Sequence, residues 1–446
     1  MGESVLSVAA TKAAADAGDL VVRKVFWRLI PFLFLLYVLS YLDRINIGFA
    51  ALSMNQELGL SRTMFGLANT IFYVGYVLCE VPSNLLLVRY GAHRWIPRIM
   101  ITWGLASAAT MFATGPNSLY ALRLLVGIAE AGFLPGVLLY LTFWFPLRWR
   151  ARATAIFMVA QPVTIAFGST LSGFILDMHG WLGLSGWRWL FLLEGLPSVL
   201  LGLIAWFYLS PSPAKAGWLS NEEKADLDAQ LSRETPKVEA GRSVWAEMAS
   251  APLLLLCLAY FGLVTSLNTI ATWTPQVVGE AVSARGSFVM VGLLSALPGL
   301  VATVAMPLWS MRSDRRGERL LHYVLPVALT ALGWIVVIAV PELTFRMLGL
   351  VFATAGAFTA MAIFWTVPAT VLSESGRPAG IALVSSAGIL ASAISPTVIG
   401  ALRDLTGSFV SGLWYATLLL VISSIAMLSV RSRSRGEIAQ PAASTV

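Results

Sequence analysis

The sequence predicts an all-α integral membrane protein, twelve transmembrane helices arranged as two six-helix bundles. Three observations carry that expectation. Apolar residues make up 57% of the 446 and charged residues only 12%, against about 45–50% and about 25% in soluble domains. So little charge could not cover the surface of a soluble fold of this length. The apolar residues also gather into runs long enough to cross a bilayer, which takes about 20 residues of helix. Finally, the second half of the chain echoes the first.

Taken in order, the first six runs lie at roughly 27–51, 64–88, 97–114, 118–144, 153–176 and 188–209. A cytoplasmic segment at 1–26 precedes them, with no signal peptide expected in it. Residues 210–250 read as a hydrophilic linker. It contains Asn221-Glu222-Glu223-Lys224 and Glu234-Thr235-Pro236-Lys237, with a short surface helix a candidate within it. Six further runs follow at roughly 251–278, 287–310, 321–340, 345–373, 379–402 and 411–430, and a short basic tail at 431–446 is expected to be loose. The organisation is thus an N-terminal bundle at 27–209 and a C-terminal bundle at 251–430.

Orientation follows from the basic residues, which collect in cytoplasmic loops. With both termini inside, only Arg62, Arg188, Arg285, Arg346 and Arg403 of the 30 Lys and Arg fall in outside connections. That places both termini in the cytoplasm; the expected location is a bacterial-type inner membrane. The repeat is clearest in two inside connections. Leu87-Val88-Arg89-Tyr90-Gly91-Ala92-His93-Arg94 in the first half answers to Ser313-Asp314-Arg315-Arg316-Gly317-Glu318-Arg319 in the second. Likewise Ala129-Glu130-Ala131-Gly132-Phe133 answers to Ala353-Thr354-Ala355-Gly356-Ala357-Phe358. Two such bundles joined by a long linker are the architecture of a rocking transporter with its site between the bundles.

Several classes fall away. A net charge of +7 without a basic solvated domain gives nucleic acid no surface to bind. Cys79 and Cys257 both lie in apolar runs, and His93, His179 and His322 are scattered, so no disulfide scaffold, metal centre or cofactor is expected. No nucleophile–base pair or phosphate loop is visible, and the chain reads as a transporter rather than an enzyme. Its expected partners are the lipid bilayer, an organic anion and protons, with no obligate protein partner.

Charges inside the spans mark the site, because each costs about 2.5–3.5 kcal/mol to insert at a bilayer centre. Asp43 and Arg44 adjoin in the first span, Glu80 lies in the second, Arg123 and Glu130 in the fourth, Glu194 in the sixth. Seven residues apart, Arg123 and Glu130 differ by about 20° around the helix and about 10 Å along it. They share a face but are too far apart for a direct bond unless the arginine reaches along the groove. Two readings are open. One is a fixed ion-pair cluster that locks the N-terminal bundle. In the other, Arg44 binds an anion while Asp43, Glu130 and Arg123 couple its movement to protons.

Neutral residues complete the candidate site. Gln161, before Pro162, suits a substrate hydroxyl or carboxylate, or an interhelical hydrogen bond equally well. Tyr73 and Tyr76 share a polar stretch, one of them expected to face the cavity. Trp273 and Trp365, near Pro275 and Pro368, are candidate pocket walls, with Asn268, Thr272, Ser385 and Ser386 as further polar candidates. Glu80 and Glu194 are expected to be structural, Glu194 by pairing locally. Gly127 with Ala131, and Gly168 with Gly173, read as close helix packing.

These motifs resemble the major facilitator superfamily, and within it the anion:cation symporters. Tyr41-Leu42-Asp43-Arg44-Ile45-Asn46 is similar to that family's first-helix motif, Arg123 with Glu130 to its fourth-helix pair, and Gln161 to its fifth-helix glutamine. Pro82-Ser83-Asn84, the stretch Val126 to Gly136 and the stretch Trp189 to Pro197 resemble 4-hydroxyphenylacetate permeases and also phthalate and tartrate transporters. Phe358 to Thr366 and Leu402 to Phe409 resemble the 4-hydroxyphenylacetate permeases more narrowly. Two positions depart from the pattern. Val88 stands where the first cytoplasmic signature has an acidic residue, which Asp314 keeps in the second copy. Ser385 and Ile389 stand where relatives often carry asparagines, and this weakens the assignment to one substrate.

The resemblance implies proton-coupled uptake of an organic anion. Moving one negative charge inward against 100 mV costs about 2.3 kcal/mol. One proton cancels that cost and leaves the pH gradient, about 1.4 kcal/mol per unit, as the drive. The expected substrate is an aromatic monocarboxylate such as 4-hydroxyphenylacetate, because no intramembrane cation of the C-terminal half offers itself to a second carboxylate. Phthalate, tartrate or a sugar acid is the alternative within the class, and a polytopic enzyme or receptor the remote one.

Overall fold

The computed structural model describes residues 2–232, 250–282, 287–372 and 377–438, which fold as helices and their connections. The helices are α1 Gly2–Glu57, α2 Arg62–Tyr90, α3 Ala92–Ala109, α4 Pro116–Glu130, α5 Phe133–Trp144, α6 Leu147–Met158, α7 Ala160–Leu176 and α8 Gly186–Tyr208. After α9, Asn221–Ser232, come α10 Ala251–Val282, α11 Phe288–Arg316, α12 Leu320–Ala339, α13 Leu343–Phe364, α14 Pro368–Val371, α15 Arg377–Thr406 and α16 Val410–Ile438. Glu234-Thr235-Pro236-Lys237, Arg285 and the last eight residues lie outside the described residues.

Among the described residues, eleven helical stretches are long and apolar enough to cross a membrane, with α4–α5 and α6–α7 each counting as one. The run expected at 97–114 is α3. It begins five residues earlier, carries His93, Arg94 and Arg98 in its first two turns, and ends in a 3-10 turn at Thr110–Phe112, so its apolar length falls short. It nevertheless packs along α8 and against α4 inside the N-terminal bundle. Two expectations at the chain ends change. α1 is one helix from Gly2 through the first span, and α16 continues past Arg431 to Ile438 where a loose tail was expected.

The repeated connections share a physical device. α2 ends on Gly91 (φ 87°) and α11 on Gly317 (φ 61°), conformations that side chains rarely adopt. The surface helix expected in the linker is α9. Its start is a capping box in which Ser220 and Glu223 bond each other's backbone N–H, at 3.2 and 2.8 Å. Lys24 ties it to α1 through a 2.7 Å ion pair with Glu223.

Among the described residues the halves join chiefly along α2 with α15, α7 with α11, and α1 with α10. At the end opposite the termini, here the distal end, the joins repeat. Asp404, at the end of α15, accepts from Arg62 N (3.1 Å), Thr63 N (2.8 Å) and Thr63 Oγ1 (2.6 Å) at the start of α2. Asp177, just after α7, accepts from Phe288 N (3.0 Å) at the start of α11. Each helix also has its own serine cap, Ser61 for α2 and Ser287 for α11. An aspartate from the opposite bundle thus meets the positive end of each helix dipole. Between α7 and α11 the backbones touch: a Cβ on Gly173 would lie 2.6 Å from Phe288 O, and one on Gly292 2.6 Å from Ser169 O. One apolar core runs through both halves here, and includes Phe49, Phe65, Ile270 and Phe409. A second core lies within the N-terminal half, its linker helix included.

Candidate functional site

The site begins with two adjacent residues of α1. Successive helical positions are about 100° apart, so Asp43 and Arg44 serve different neighbours. Arg44 points to α4, where its Nε and Nη2 both donate to Glu130 Oε1, at 2.9 and 2.7 Å. Ser40, one turn before Arg44, donates to the same oxygen at 3.3 Å. The Arg44 guanidinium also lies 5.6 Å from the centre of the Tyr76 ring. Glu130 is 1% exposed, whereas the Arg44 side chain keeps 25% of its surface. The cation is therefore the approachable member of the pair.

Glu130 is the last residue of α4, and the chain leaves helical geometry immediately after it. Gly132 is left-handed at φ 88° before α5 begins at Phe133. A Cβ on Gly132 would lie 2.5 Å from Ser83 Oγ. The Ala131 carbonyl opened by this break accepts from Ser83 Oγ at 2.6 Å, and Ser83 Oγ accepts in turn from Trp95 Nε1 at 3.0 Å. Backbone without helix bonds is tolerated at membrane depth only where protein satisfies it. The break leaves Glu130 at the negative end of a half-helix, a poor place for a carboxylate. Arg44 compensates it.

Arg123 does not bond Glu130. Its guanidinium stands 4.7 Å from the Phe72 ring centre, and its Nε is buried without a hydrogen-bond partner. Asp43 is bonded to neither arginine. Its Oδ1 accepts from Ser107 Oγ (2.7 Å) and Asn46 Nδ2 (3.0 Å), and its Oδ2 from Trp103 Nε1. Glu194 accepts from Ser172 Oγ of α7 at 2.8 Å. Arg44 and Glu130 thus form an ion pair, while Asp43 and Glu194 are each held by neutral donors.

Gln161 donates to Tyr37 OH at 2.6 Å, and Tyr37 stacks on Phe157 at 4.3 Å. Of the two tyrosines, Tyr76 lies buried beside Arg44. Tyr73 is half-buried and donates across the bundles to Asn268 Oδ1 at 3.0 Å, and Asn268 Nδ2 donates to Ser392 at 2.5 Å. Trp365, just after α13, meets Tyr260 edge-on at 5.0 Å, and Tyr260 covers Gly388. Ser385 lies one turn before Gly388 and is half-buried, as Trp365 is. Ile389 packs on the core of the opposite half. Trp273 is placed elsewhere. It is fully buried between Phe65 and Phe409, each at 5.3 Å, in the distal apolar core.

Sequence reasoning missed Tyr37, Ser40 and Tyr260. The first two were legible, since Tyr37, Ser40 and Arg44 recur at the three- and four-residue spacing of one helix face. Tyr260 had no comparable signal. Ser83 was quoted only as part of a motif; its role depends on a helix break that no periodicity announces.

Two joined helical bundles with a buried, approachable ion pair between helices define a class, the membrane transporters. The chain belongs to the Major Facilitator Superfamily, which residues 33–396 match, and the expected two six-helix bundles are the fold it has. It is 44% identical, over 95% of its length and 97% of the relative's, to a protein of Agrobacterium vitis named "Putative tartrate transporter". The metabolite transport protein NicT of Pseudomonas putida is 38% identical over 92% of this chain and 94% of its own. The inner membrane transport protein RhmT of Escherichia coli is 33% identical over 93% and 96%. Among solved structures, a D-xylose-proton symporter superposes with a TM-score of 0.73 at 16% identity, covering 90% of this chain and 97% of its own. A bacterial Spinster homologue, inward-facing and unoccupied, gives 0.71 at 18% over 92% and 97%. At these identities the superpositions speak for the fold alone.

Proposed function

We propose that this protein imports a small organic carboxylate together with protons by alternating access. Both termini are cytoplasmic and the distal end faces outward in a bacterial-type inner membrane. The observation that carries the reading is the Arg44–Glu130 pair. A substrate carboxylate reaching the exposed part of Arg44 competes with Glu130 for the same N–H groups. Glu130 is left buried and unpaired, and it takes up a proton, because an isolated buried charge is costly. Empty, the pair is neutral; loaded, Arg44 with a monoanion and protonated Glu130 are neutral too. Both forms can then rearrange without carrying net charge through the membrane. For a dianion such as tartrate, Arg123 supplies a second positive charge, and keeping the loaded site neutral then takes a second proton. Asp43 is the second carboxyl available to a proton.

For the substrate, the tartrate class is proposed first. The name carried by the Agrobacterium relative supports it, as do the polar groups of Gln161, Asn268 and Ser385. An aromatic monocarboxylate such as 4-hydroxyphenylacetate is the second reading, favoured by the Tyr76 ring beside Arg44 and by the rings of Tyr260 and Trp365. Uptake into proteoliposomes under an imposed pH gradient decides between them, with tartrate, phthalate, a sugar acid and 4-hydroxyphenylacetate as competitors. The tartrate reading requires tartrate to compete at the lowest concentration. If 4-hydroxyphenylacetate does so, the second reading replaces it, and if no acid is taken up, the proposed function fails.

A further inference from the structure

The corner between α2 and α3 collects positive charge without an acid to meet it. Residues 88–98 hold Arg89, Arg94 and Arg98 and no Asp or Glu. The repeated corner of the second half is built differently. There Asp314 pairs with Arg319 at 2.6 Å, and Glu318 accepts from Leu321 N at 2.8 Å and meets His322 Nδ1 at 2.8 Å. Aligned on Gly91 and Gly317, the positions of those two acids are taken by Val88 and Ala92. Among the described residues, no carboxylate forms an ion pair with Arg89, Arg94 or Arg98.

Aromatic rings meet the arginines instead. Arg89 lies 5.7 Å from the Tyr90 ring centre, Tyr90 stacks on Trp95 at 5.8 Å and 12°, and Arg98 lies 4.2 Å from the centre of Trp95. The bond from Trp95 Nε1 to Ser83 Oγ, 3.0 Å, fixes the stack to α2. A ring attracts a guanidinium but leaves most of its five N–H groups unmet. Arg98 is half-buried, and its Nη1 is buried with no hydrogen-bond partner. Buried donors are rarely left so, and an anion would complete this one.

The surroundings indicate which anion. Val81, Leu85 and Val88 of α2 are strongly exposed. On α3, Arg94, Arg98, Ile101 and Leu105 recur at the spacing of one helix face, and that face is open. The surface is therefore basic and aromatic at the corner and apolar along both helices. A phospholipid matches it, with phosphate on the arginines and chains along the apolar part, which a free phosphate would leave unused. Basic pockets between spanning helices hold anionic headgroups in this way, with Trp and Tyr at headgroup level.

We propose that the α2–α3 corner binds an anionic phospholipid, its phosphate on Arg94 and Arg98 beside the Tyr90–Trp95 stack. The unbalanced arginines favour a headgroup of net negative charge over a zwitterionic one. This goes beyond the transport reading and does not depend on it.

The test is native mass spectrometry of the full chain in detergent, titrated with phosphatidylglycerol or phosphatidylcholine and without substrate. Wild type should retain phosphatidylglycerol in preference to phosphatidylcholine. Arg98→Gln should lower that retention about five-fold, the effect of one basic residue near an anionic surface. Arg316→Gln, at the second corner, should leave it unchanged; an equal loss there would reduce the effect to general attraction and overturn the proposal. Displacement of the lipid by inorganic phosphate would make this a site for a free anion and overturn it too. If Arg98→Gln does not fold, Val88→Asp returns at an exposed position the acid that Asp314 keeps, and it should also lower retention. Equal retention of the two lipids by wild type, or wild-type retention in Arg98→Gln or Val88→Asp, would be equally fatal. No substrate is present, so failure here leaves the transport reading standing, and failure of uptake leaves this one.

Discussion

Arg44 places two N–H groups on one oxygen of Glu130, at 2.9 and 2.7 Å, while a quarter of its own surface stays open. The arginine can therefore meet an incoming anion before it releases the carboxylate. Glu130, 1% exposed, has no such freedom. When it loses Arg44, a proton is the available replacement.

For Arg44→Lys, substrate affinity should fall at least ~10-fold, or about 1.4 kcal/mol, because an ammonium cannot reproduce the planar fork. Arg44→Ala should bind more weakly still. Titration calorimetry of the detergent-solubilised proteins reads both. Wild-type affinity in either would remove Arg44 from the binding site.

Gly132→Ala introduces a side chain at φ 88° and 2.5 Å from Ser83 Oγ. A residue forced into that region costs roughly 1–3 kcal/mol, so the melting temperature should drop clearly. Ser83→Ala removes the closer atom but leaves its Cβ 2.9 Å away and strips the Ala131 carbonyl of its donor, with a similar penalty of roughly 1–3 kcal/mol. The double variant should therefore recover little.

Asp404→Ala removes three bonds that hold α15 to the start of α2. The distal ends should separate more often, seen as faster labelling of a cysteine placed at Thr397, whose hydroxyl meets that of Thr70 on α2 at 2.7 Å. Asp177→Ala, which removes the matching bond to Phe288, should act in the same direction and more weakly. Labelling rates equal to those of the unmutated background would mean that the apolar core alone keeps this end shut.

Much of the fold was legible because a bilayer imposes a simple pattern. Length, hydropathy and the repeated glycine-ended connections at Gly91 and Gly317 sufficed for the helices and their pairing into halves. The helix breaks were not legible. Ala131–Gly132 reads as more apolar helix, and only the Ser83 hydroxyl arriving from α2 makes an opened backbone tolerable there. In the site, spacing along one helix placed Arg123 and Glu130 on a shared face, and the structure keeps both buried. It could not supply the partner, since Arg44 comes from another helix. Trp273 was misplaced for a related reason: a proline-flanked tryptophan looks alike in a cavity wall and in the packed distal core between Phe65 and Phe409.

The central claim is that Glu130 exchanges Arg44 for a proton during each cycle. Glu130→Gln imitates the protonated form at nearly constant shape and leaves Arg44 free for substrate. Counterflow and pH-driven uptake, measured in the same liposomes, separate binding from coupling. The variant should exchange labelled for unlabelled substrate across the membrane yet fail to concentrate it under a pH gradient. Accumulation under that gradient equal to wild type would contradict the account and make the Arg44–Glu130 pair a fixed strut of the bundle.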